Sequence, residues 1–474
     1  MCFLATSMEE DYVRLSRLLE NVLLEVADLK RENALLKQEI IDLKLQLNTN
    51  SRNSSKPPSS DGYKKKPGIP REKKGKQGGQ KGHKGKTLPQ TDNPDVIVAC
   101  VPSACKCGYH FTKEEFTLLE KRQVFELPPP KLEVTEYQVF QAICSCGIKS
   151  KGSTPECVKA TVQYGNRAKA FTVLLNSHYK MPYKKIQLLF GDLFGYSINE
   201  STVYSASQYC FEQLEQTEQV IKSEVSKSQV VHADESGLRV LTKLHWLHTA
   251  STELYTYLFV HQKRGNEALM SEQSVLNNIN GWLVHDCWSS YFKFKSLKHA
   301  ICGAHILREL EGLKESPTSK WAKIFKQFLL KIYYQPLEER VKQRVQIESR
   351  YLLICHIGEK LEPPPKKTAG KTGRYKRTKG RNLVERLIRE KEAILAFAFN
   401  EHVPFTNNLA ERDIRPVKLK MKISNCFRTF KGAQMYTRIE SFLSTTRKQN
   451  RNVFEELCNT FEGHNFLTTY QSAK

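Results

Sequence analysis

Three acidic residues, far apart in the chain, stand in contexts suited to hard-cation chemistry. Asp234 lies in a strand-like run, Val230-Val231-His232-Ala233-Asp234-Glu235-Ser236, and Asp286 closes a second one, Gly281-Trp282-Leu283-Val284-His285-Asp286. Glu411 falls in Thr406-Asn407-Asn408-Leu409-Ala410-Glu411-Arg412-Asp413-Ile414-Arg415-Pro416, a helix start that Thr406 or Asn407 can cap. It shares a face there with Asn407 and Asn408 one turn earlier. Carboxylates that leave open positions on Mg2+ (or Mn2+) suit phosphoryl transfer on a nucleic acid. One ion lowers the pKa of an attacking water or 3′-hydroxyl, and a second stabilises the leaving oxygen in line. Neutral amides or histidines serve so hard a cation poorly. Asp234, Asp286 and Glu411 are therefore the expected ligands of two such ions.

The surrounding pattern says how they would meet. After the first strand come Leu244–Ser251 and Leu254–His261, joined by turns at Leu241-Thr242-Lys243 and Thr252-Glu253, an antiparallel meander. Gly265–Asn280 predicts a helix, and Gly281–Trp288 a fourth strand. Three antiparallel strands, a helix and a further strand match the start of a ribonuclease-H-like fold. First and fourth strands then lie side by side, about 4.8 Å apart, with Asp234 and Asp286 within reach of one ion. Glu235 points to the opposite face and is not counted as a ligand. His232 and His285 read as strand neighbours, and Trp288 as a core or rim aromatic. Asp286 and Glu411 are separated by 124 residues, more than the fold needs. His299–Lys314, Trp321–Tyr334, Glu338–Ile357 and Asn382–Phe399 are helical by pattern, so the interval predicts an α-helical insertion. It is interrupted by a basic loop, Pro363–Arg381, with eight Lys or Arg and no acid. Cys302 and His305, a Cys-x-x-His pair, read as packing or support for the acids rather than as a zinc site. Arg412 and Arg415, flanking Glu411, are expected to hold phosphates or the insertion.

The upstream third fits a nucleic-acid partner. With 474 residues, 74 Lys or Arg and 50 Asp or Glu, the chain carries +24, far more than an enzyme of small neutral metabolites needs. No apolar run reaches the ~18 residues that span a bilayer, and the opening residues lack a signal-peptide pattern. The expectation is a cytoplasmic, nucleoid-associated bacterial protein with no membrane partner. Tyr12, Leu19, Val26, Asn33, Ile40 and Leu47, with Leu15, Val22, Leu29, Leu36 and Leu43 three residues later, form a heptad seam. Asn33 favours a parallel homodimer in register; the alternative is a helix packed on its own protein. Residues 48–87 are Ser-, Pro-, Gly- and Lys-rich, with twelve Lys or Arg against two acids, and predict disorder. Lys76, Lys81, Lys84 and Lys86 there suit a groove lined with phosphates. Cys105-Lys106-Cys107-Gly108 and Cys144-Ser145-Cys146-Gly147 bracket two strand-like runs, Arg122–Leu127 and Leu132–Ala142. Four thiolates at the ends of such a hairpin suit a structural Zn2+, with Cys100 or Cys157 as substitutes for one ligand and ordinary thiols as the alternative. Tyr183–Phe194 and Asn199–Cys210, around Gly195-Tyr196-Ser197, form a helix pair: a helix-turn-helix with Ser201 and Thr202 at the second start, or an ordinary packing unit.

HADESGLRV, WLHTAST, Arg264-Gly265, GWLVHDCWSSY, HAICGAHILREL and TNNLAERDIRPVKLKMKIS occur in that order. On these motifs the whole chain resembles the transposases of the bacterial insertion-sequence family numbered sixty-six. That family's Cys-x-x-Cys turns are Cys-x-Cys here. The resemblance implies a DDE transposase whose acids fall on Asp234, Asp286 and Glu411, cleaving transposon ends and joining them to target DNA with or without accessory proteins. The expected fold is multidomain α/β, a ribonuclease-H-like catalytic core (229–302 and 400–450) with an α-helical insertion (303–399). Before it come a coiled coil (8–48), a basic disordered linker (49–90), a zinc-ribbon-like module (95–158) and a helical DNA-binding segment (160–228); a C-terminal tail (451–474) follows. The rival readings are a non-catalytic DNA-binding regulator derived from a transposase, and a ribonuclease acting on RNA hybrids.

Overall fold

Residues 2–47, 88–102, 104–313, 316, 318, 320–365 and 377–472 are described by the computed structural model. By their contacts they fall into two compact units. One is bounded by Met1–Gly62, Glu156–Leu188 and Ile198–Lys474, the other by Tyr63–Pro155 and Leu189–Ser197. The basic segment with Lys76, Lys81, Lys84 and Lys86, and the centre of the Pro363–Arg381 loop, lie outside the described residues.

Helix α1 (Cys2–Leu47) runs through the heptad region. Leu19, Val22, Val26, Leu29, Asn33, Leu36 and Ile40 of the seam are all exposed. The stripe finds no cover in its own chain among the described residues, so the alternative of a self-packed helix gains nothing. No described helix is long and apolar enough to cross a membrane.

In the smaller unit the two expected strands, Arg122–Leu127 and Leu132–Ala142, do not form. Instead β1 (Gln141–Ile143) pairs antiparallel with β2 (Lys149–Lys151). The Cys144-Ser145-Cys146-Gly147 turn is thus the hairpin's own turn rather than lying at its far end. Gly147, at φ +84°, supplies the left-handed residue that closes it. Gly108, at φ +91°, does the same for the first Cys-x-Cys turn, where the Gly108 N–H donates to the Cys105 carbonyl at 2.9 Å. The alternation that suggested strands upstream is broken by Pro128-Pro129-Pro130, which cannot donate to a ladder.

In the larger unit the helical segment consists of α2 (Asn166–Val173), α3 (Tyr183–Phe194), α4 (Glu200–Gln213) and α5 (Glu215–Lys227), α3 crossing into the second unit. The break between α3 and α4 holds Gly195 at φ +73°, as the sequence suggests. A five-stranded sheet follows: β3 (Val230–Val240), β4 (Lys243–Ser251), β5 (Thr256–His261), β6 (Trp282–His285) and β7 (Lys298–Ile301). Their spatial order is β5-β4-β3-β6-β7. The first three strands run antiparallel and β6 and β7 parallel to β3. The β3–β4 hairpin turns on two residues, with Leu241 at φ +52° and its N–H held by the Phe427 carbonyl at 2.7 Å.

Two expectations fail here. Gly265–Asn280 is not one helix but a single turn, α6 (Asn266–Leu269), and a 3-10 turn at Leu276–Asn278. Serine hydroxyls compete for the backbone between them: Ser271 Oγ donates to the Ala268 carbonyl, and Ser274 Oγ accepts from the Leu276 N–H. His299–Lys314, expected to be helical throughout, divides into the end of β7 and α7 (Gly303–Gly312).

The long interval carries helices, as expected, in shorter pieces: α8 (Lys320–Tyr334), α9 (Leu337–Lys342), α10 (Arg344–Leu361), α11 (Lys379–Arg389) and α12 (Lys391–Phe399). In α8, Trp321, Phe325, Phe328, Leu329 and Ile332 repeat at helical spacing and are buried. They share a core with Tyr351 of α10, Val384 of α11 and Phe397 of α12, and that core continues onto Val284 of β6 and Ala300 of β7. The chain returns as α13 (Asn408–Ser424), α14 (Phe430–Lys448), α15 (Val453–Phe461) and α16 (Phe466–Ser472). Ile414 and Val417 of α13 pack with Leu238, Leu247 and Leu258 of the meander.

Candidate active site

Asp234 and Asp286 become neighbours through strand register. In the β3–β6 ladder Val230 pairs with Trp282 and His232 with Val284, and the same offset carried two residues further sets Asp286 level with Asp234. Asp234 sits where the ladder to β6 ends and that to β4 continues, opposite Thr249. Asp286 lies just beyond β6, its Oδ1 accepting the Trp288 N–H at 2.9 Å. Glu411 is in the first turn of α13.

Electrostatics joins the three. Burial raises the Asp234 pKa well above the carboxylate range, and Glu235, Asp286 and Glu411 each push it further up. Burial also raises Asp286, against the pull of the Trp288 N–H and the cations Arg264 and Arg386. Burial and mutual repulsion of these acids are opposed by Arg264 and Arg386 at Asp286, and a bound divalent cation would favour their charged forms. The three acids do not converge to a point. Among the described residues, the one set of three or more His, Cys, Asp or Glu side chains with ligand atoms all within 4.8 Å of one another is Cys302, His305 and Glu411.

That set alters the reading of the Cys-x-x-His pair. Cys302 caps α7 and is fully buried, so its Sγ can accept the Asn407 N–H at 3.1 Å. His305, one turn along α7, brings Nδ1 to 3.8 Å from Glu411 Oε1. Arg308 stands 3.6 Å from the same oxygen and 3.3 Å from His305 Nε2. Gly303 is required at this entrance, since a Cβ would fall 2.1 Å from the Phe405 ring.

Asn407, expected as a cap, stands at the N-cap of α13, but its side chain does not cap the helix. Its Nδ2 donates to the Ala233 carbonyl at 2.8 Å and its Oδ1 lies 2.9 Å from His232 Nδ1. The helix bearing Glu411 is thereby bolted to the strand bearing Asp234. Asp413, next but one to Glu411, is buried among Ser251, Thr256 and the Lys448 ammonium and is part of the packing. Arg412 and Arg415 are exposed on α13.

Glu235, not counted as a ligand from its alternation, has a structural role that the pattern alone does not reveal. Its carboxylate, 2 % exposed, accepts from Arg264 at 2.7 Å and from the Tyr291 hydroxyl at 2.6 Å. Arg264 lies over Trp246 and Trp288, its Cζ 4.9 and 4.4 Å from their ring centroids. The usable signal was a Glu fixed inside a buried strand, which needs a cation nearby. His285, also buried, bonds through Nε2 to His299 Nδ1 at 3.0 Å, and burial lowers its pKa to about 3.

The Cys-x-Cys thiols, Cys105, Cys107, Cys144 and Cys146, are exposed. Within each turn the two are close: Cys107 is pushed down by the Tyr109 backbone and by Cys105, and Cys144 by Cys146. Among the described residues these thiols do not form a group of three or more ligand atoms within 4.8 Å of one another.

A family model described as "Transposase IS66 family" matches residues 161–435, spanning the helical segment, the sheet and the start of α14. A second, for a family of unknown function (DUF6444), matches residues 7–89. No curated protein matches the chain. With more than half of its length under one model, covering all three acids and the helices between them, the chain belongs to the IS66 family of transposases.

Proposed function

We propose that this transposase is of the Asp-Asp-Glu class, cleaving transposon ends and joining the freed 3′-hydroxyls to target DNA at Asp234, Asp286 and Glu411. The observation that supports the proposal is the β3–β6 register, which sets Asp286 level with Asp234 on two interior strands of a sheet with order β5-β4-β3-β6-β7. That order, three antiparallel strands followed by two parallel ones, is the reason to read the core as ribonuclease-H-like. Magnesium or manganese ions, when bound, would supply Lewis-acid activation of water or a 3′-hydroxyl and neutralise charge on the leaving oxygen. The chain's own work is positional. Asp234 and Asp286 offer adjacent oxygens from neighbouring strands, and the Asn407 clamp presents Glu411 to them. Arg412 and Arg415 stay exposed to meet phosphates. A parallel dimer through the exposed α1 seam would pair two ends, and the Cys-x-Cys turns are candidate zinc ligands of the smaller unit.

The test is cleavage of DNA carrying the element's terminal sequences, with Mg2+ or Mn2+. The wild-type chain should nick and join; Asp286→Ala should bind the ends and do neither. Binding without cutting by the wild type would make the chain a DNA-binding regulator, and preference for RNA hybrids in competition would make it a ribonuclease.

A further inference from the structure

Glu411 also meets side chains of α7. Its Oε1 is buried without a hydrogen-bond partner, and so is His305 Nδ1, 3.8 Å away. That gap is too long for a hydrogen bond and suits a third atom between them. Two ligands of one tetrahedral Zn2+ stand roughly 3.5 Å apart, given bonds of about 2.0–2.3 Å. Cys302 Sγ completes the set, all three ligand atoms lying within 4.8 Å of one another.

We propose that Cys302, His305 and Glu411 form a site for a soft divalent cation, Zn2+ or its like, and that filling it withdraws Glu411 from the two aspartates. The withdrawal rests on the function proposed above; the binding does not. Thiolate and imidazole select a softer ion than the all-oxygen aspartate site. One thiolate and one carboxylate balance the ion's charge. The thiol proton leaves to solvent, as ligation requires; burial holds the Cys302 thiol above its usual range, opposed by the backbone amides of Asn407, His305 and Ala304.

Arg308 holds the site closed. A guanidinium only donates, so its contact at 3.3 Å makes His305 Nε2 the acceptor and puts the ring proton on Nδ1. Binding therefore moves that proton to Nε2 and frees Arg308 from both His305 and Glu411. Arg308→Gln should consequently bind the soft ion more tightly.

Full-length protein with Cys105, Cys107, Cys144 and Cys146 replaced by Ser, titrated with Co2+ as the probe, tests the site. Expected is one equivalent bound with a thiolate-to-cobalt charge-transfer band. Cys302→Ser should lose the band, and His305→Gln should weaken binding about 10–100-fold, whereas Asp234→Asn should leave it intact. Two variants guard against one failing to fold. No band, or a band that survives both Cys302→Ser and His305→Gln, overturns the site. Competition is read separately as Mn2+ bound, by electron paramagnetic resonance. Zn2+ should reduce it in this protein and not in its Cys302→Ser form, and undiminished Mn2+ binding overturns the withdrawal. A chain that shows the cobalt band yet never nicks DNA upholds the soft site while refuting the function.

Discussion

His232 Nδ1 and Asn407 Oδ1 meet at 2.9 Å across 175 positions of sequence. The Asn407 Nδ2 is committed to the Ala233 carbonyl, so its oxygen must face the ring and His232 must carry its proton on Nδ1. Burial lowers the His232 pKa, which keeps the ring neutral and the geometry fixed. Asn407→Ala should cut nicking about 10–100-fold, the usual effect of losing an outer support of a metal site. Circular dichroism and DNA binding should be unchanged; normal nicking by the variant would show that Glu411 needs no such anchor.

The charge gathered at Asp234 works against folding. A carboxyl whose folded pKa is raised contributes stability at low pH and loses it as pH rises through the raised value. At neutral pH without divalent metal, Asp234→Asn should therefore melt higher, by roughly 2–4 °C if about 1 kcal/mol is relieved. Mg2+ should raise the melting temperature of the wild type more than that of the variant. Scanning calorimetry with and without Mg2+ reads both effects, and a variant that melts lower contradicts the account.

Tyr291→Phe removes one donor from the buried Glu235 carboxylate and changes little else in volume. Losing a hydrogen bond to a buried charge should cost about 2 kcal/mol. Urea unfolding of the two proteins measures it, and equal midpoints would mean that Arg264 satisfies Glu235 unaided.

His248 is buried, stacked on Phe259 with ring centroids 4.9 Å apart, and its Nδ1 lacks a partner. Burial pushes its pKa down to about 4. The unfolded chain takes up this proton near pH 6.5 and the folded one does not, so stability is full above pH 6.5 and declines toward pH 4. His248→Phe should make that acid limb shallower, in a melting series from pH 7 to 4.5. It should not flatten it, because His285 titrates in the same direction.

The exposed α1 seam predicts self-association. Leu29→Asp with Leu36→Asp places charge at two seam positions and should convert a dimer into a monomer by light scattering. An unaltered mass would move the interface elsewhere.

The sheet was largely legible because period-two patterns and short turns act locally. β3, β4, β5 and β6 carry apolar side chains in runs that a helix would not use, with Asp234 inside β3 and Asp286 just past β6. β7 was lost because Lys298-His299-Ala300-Ile301 runs without punctuation into α7. The helix expected after Arg264 failed through serine side chains whose backbone bonds no periodicity reveals. Within the site, the side-chain work of Asn407 and the meeting of Cys302 and His305 with Glu411 were invisible. Both depend on α13 returning to β3 and α7 after more than a hundred residues, a tertiary fact with no local sign.

The 124 residues between Asp286 and Glu411 also impose an order on synthesis. A polypeptide emerging from the ribosome exposes both aspartates while the helix that supplies the last acid is still untranslated. On the assignment proposed above, a product truncated ahead of α13 would hold two of the three acids and lack the third.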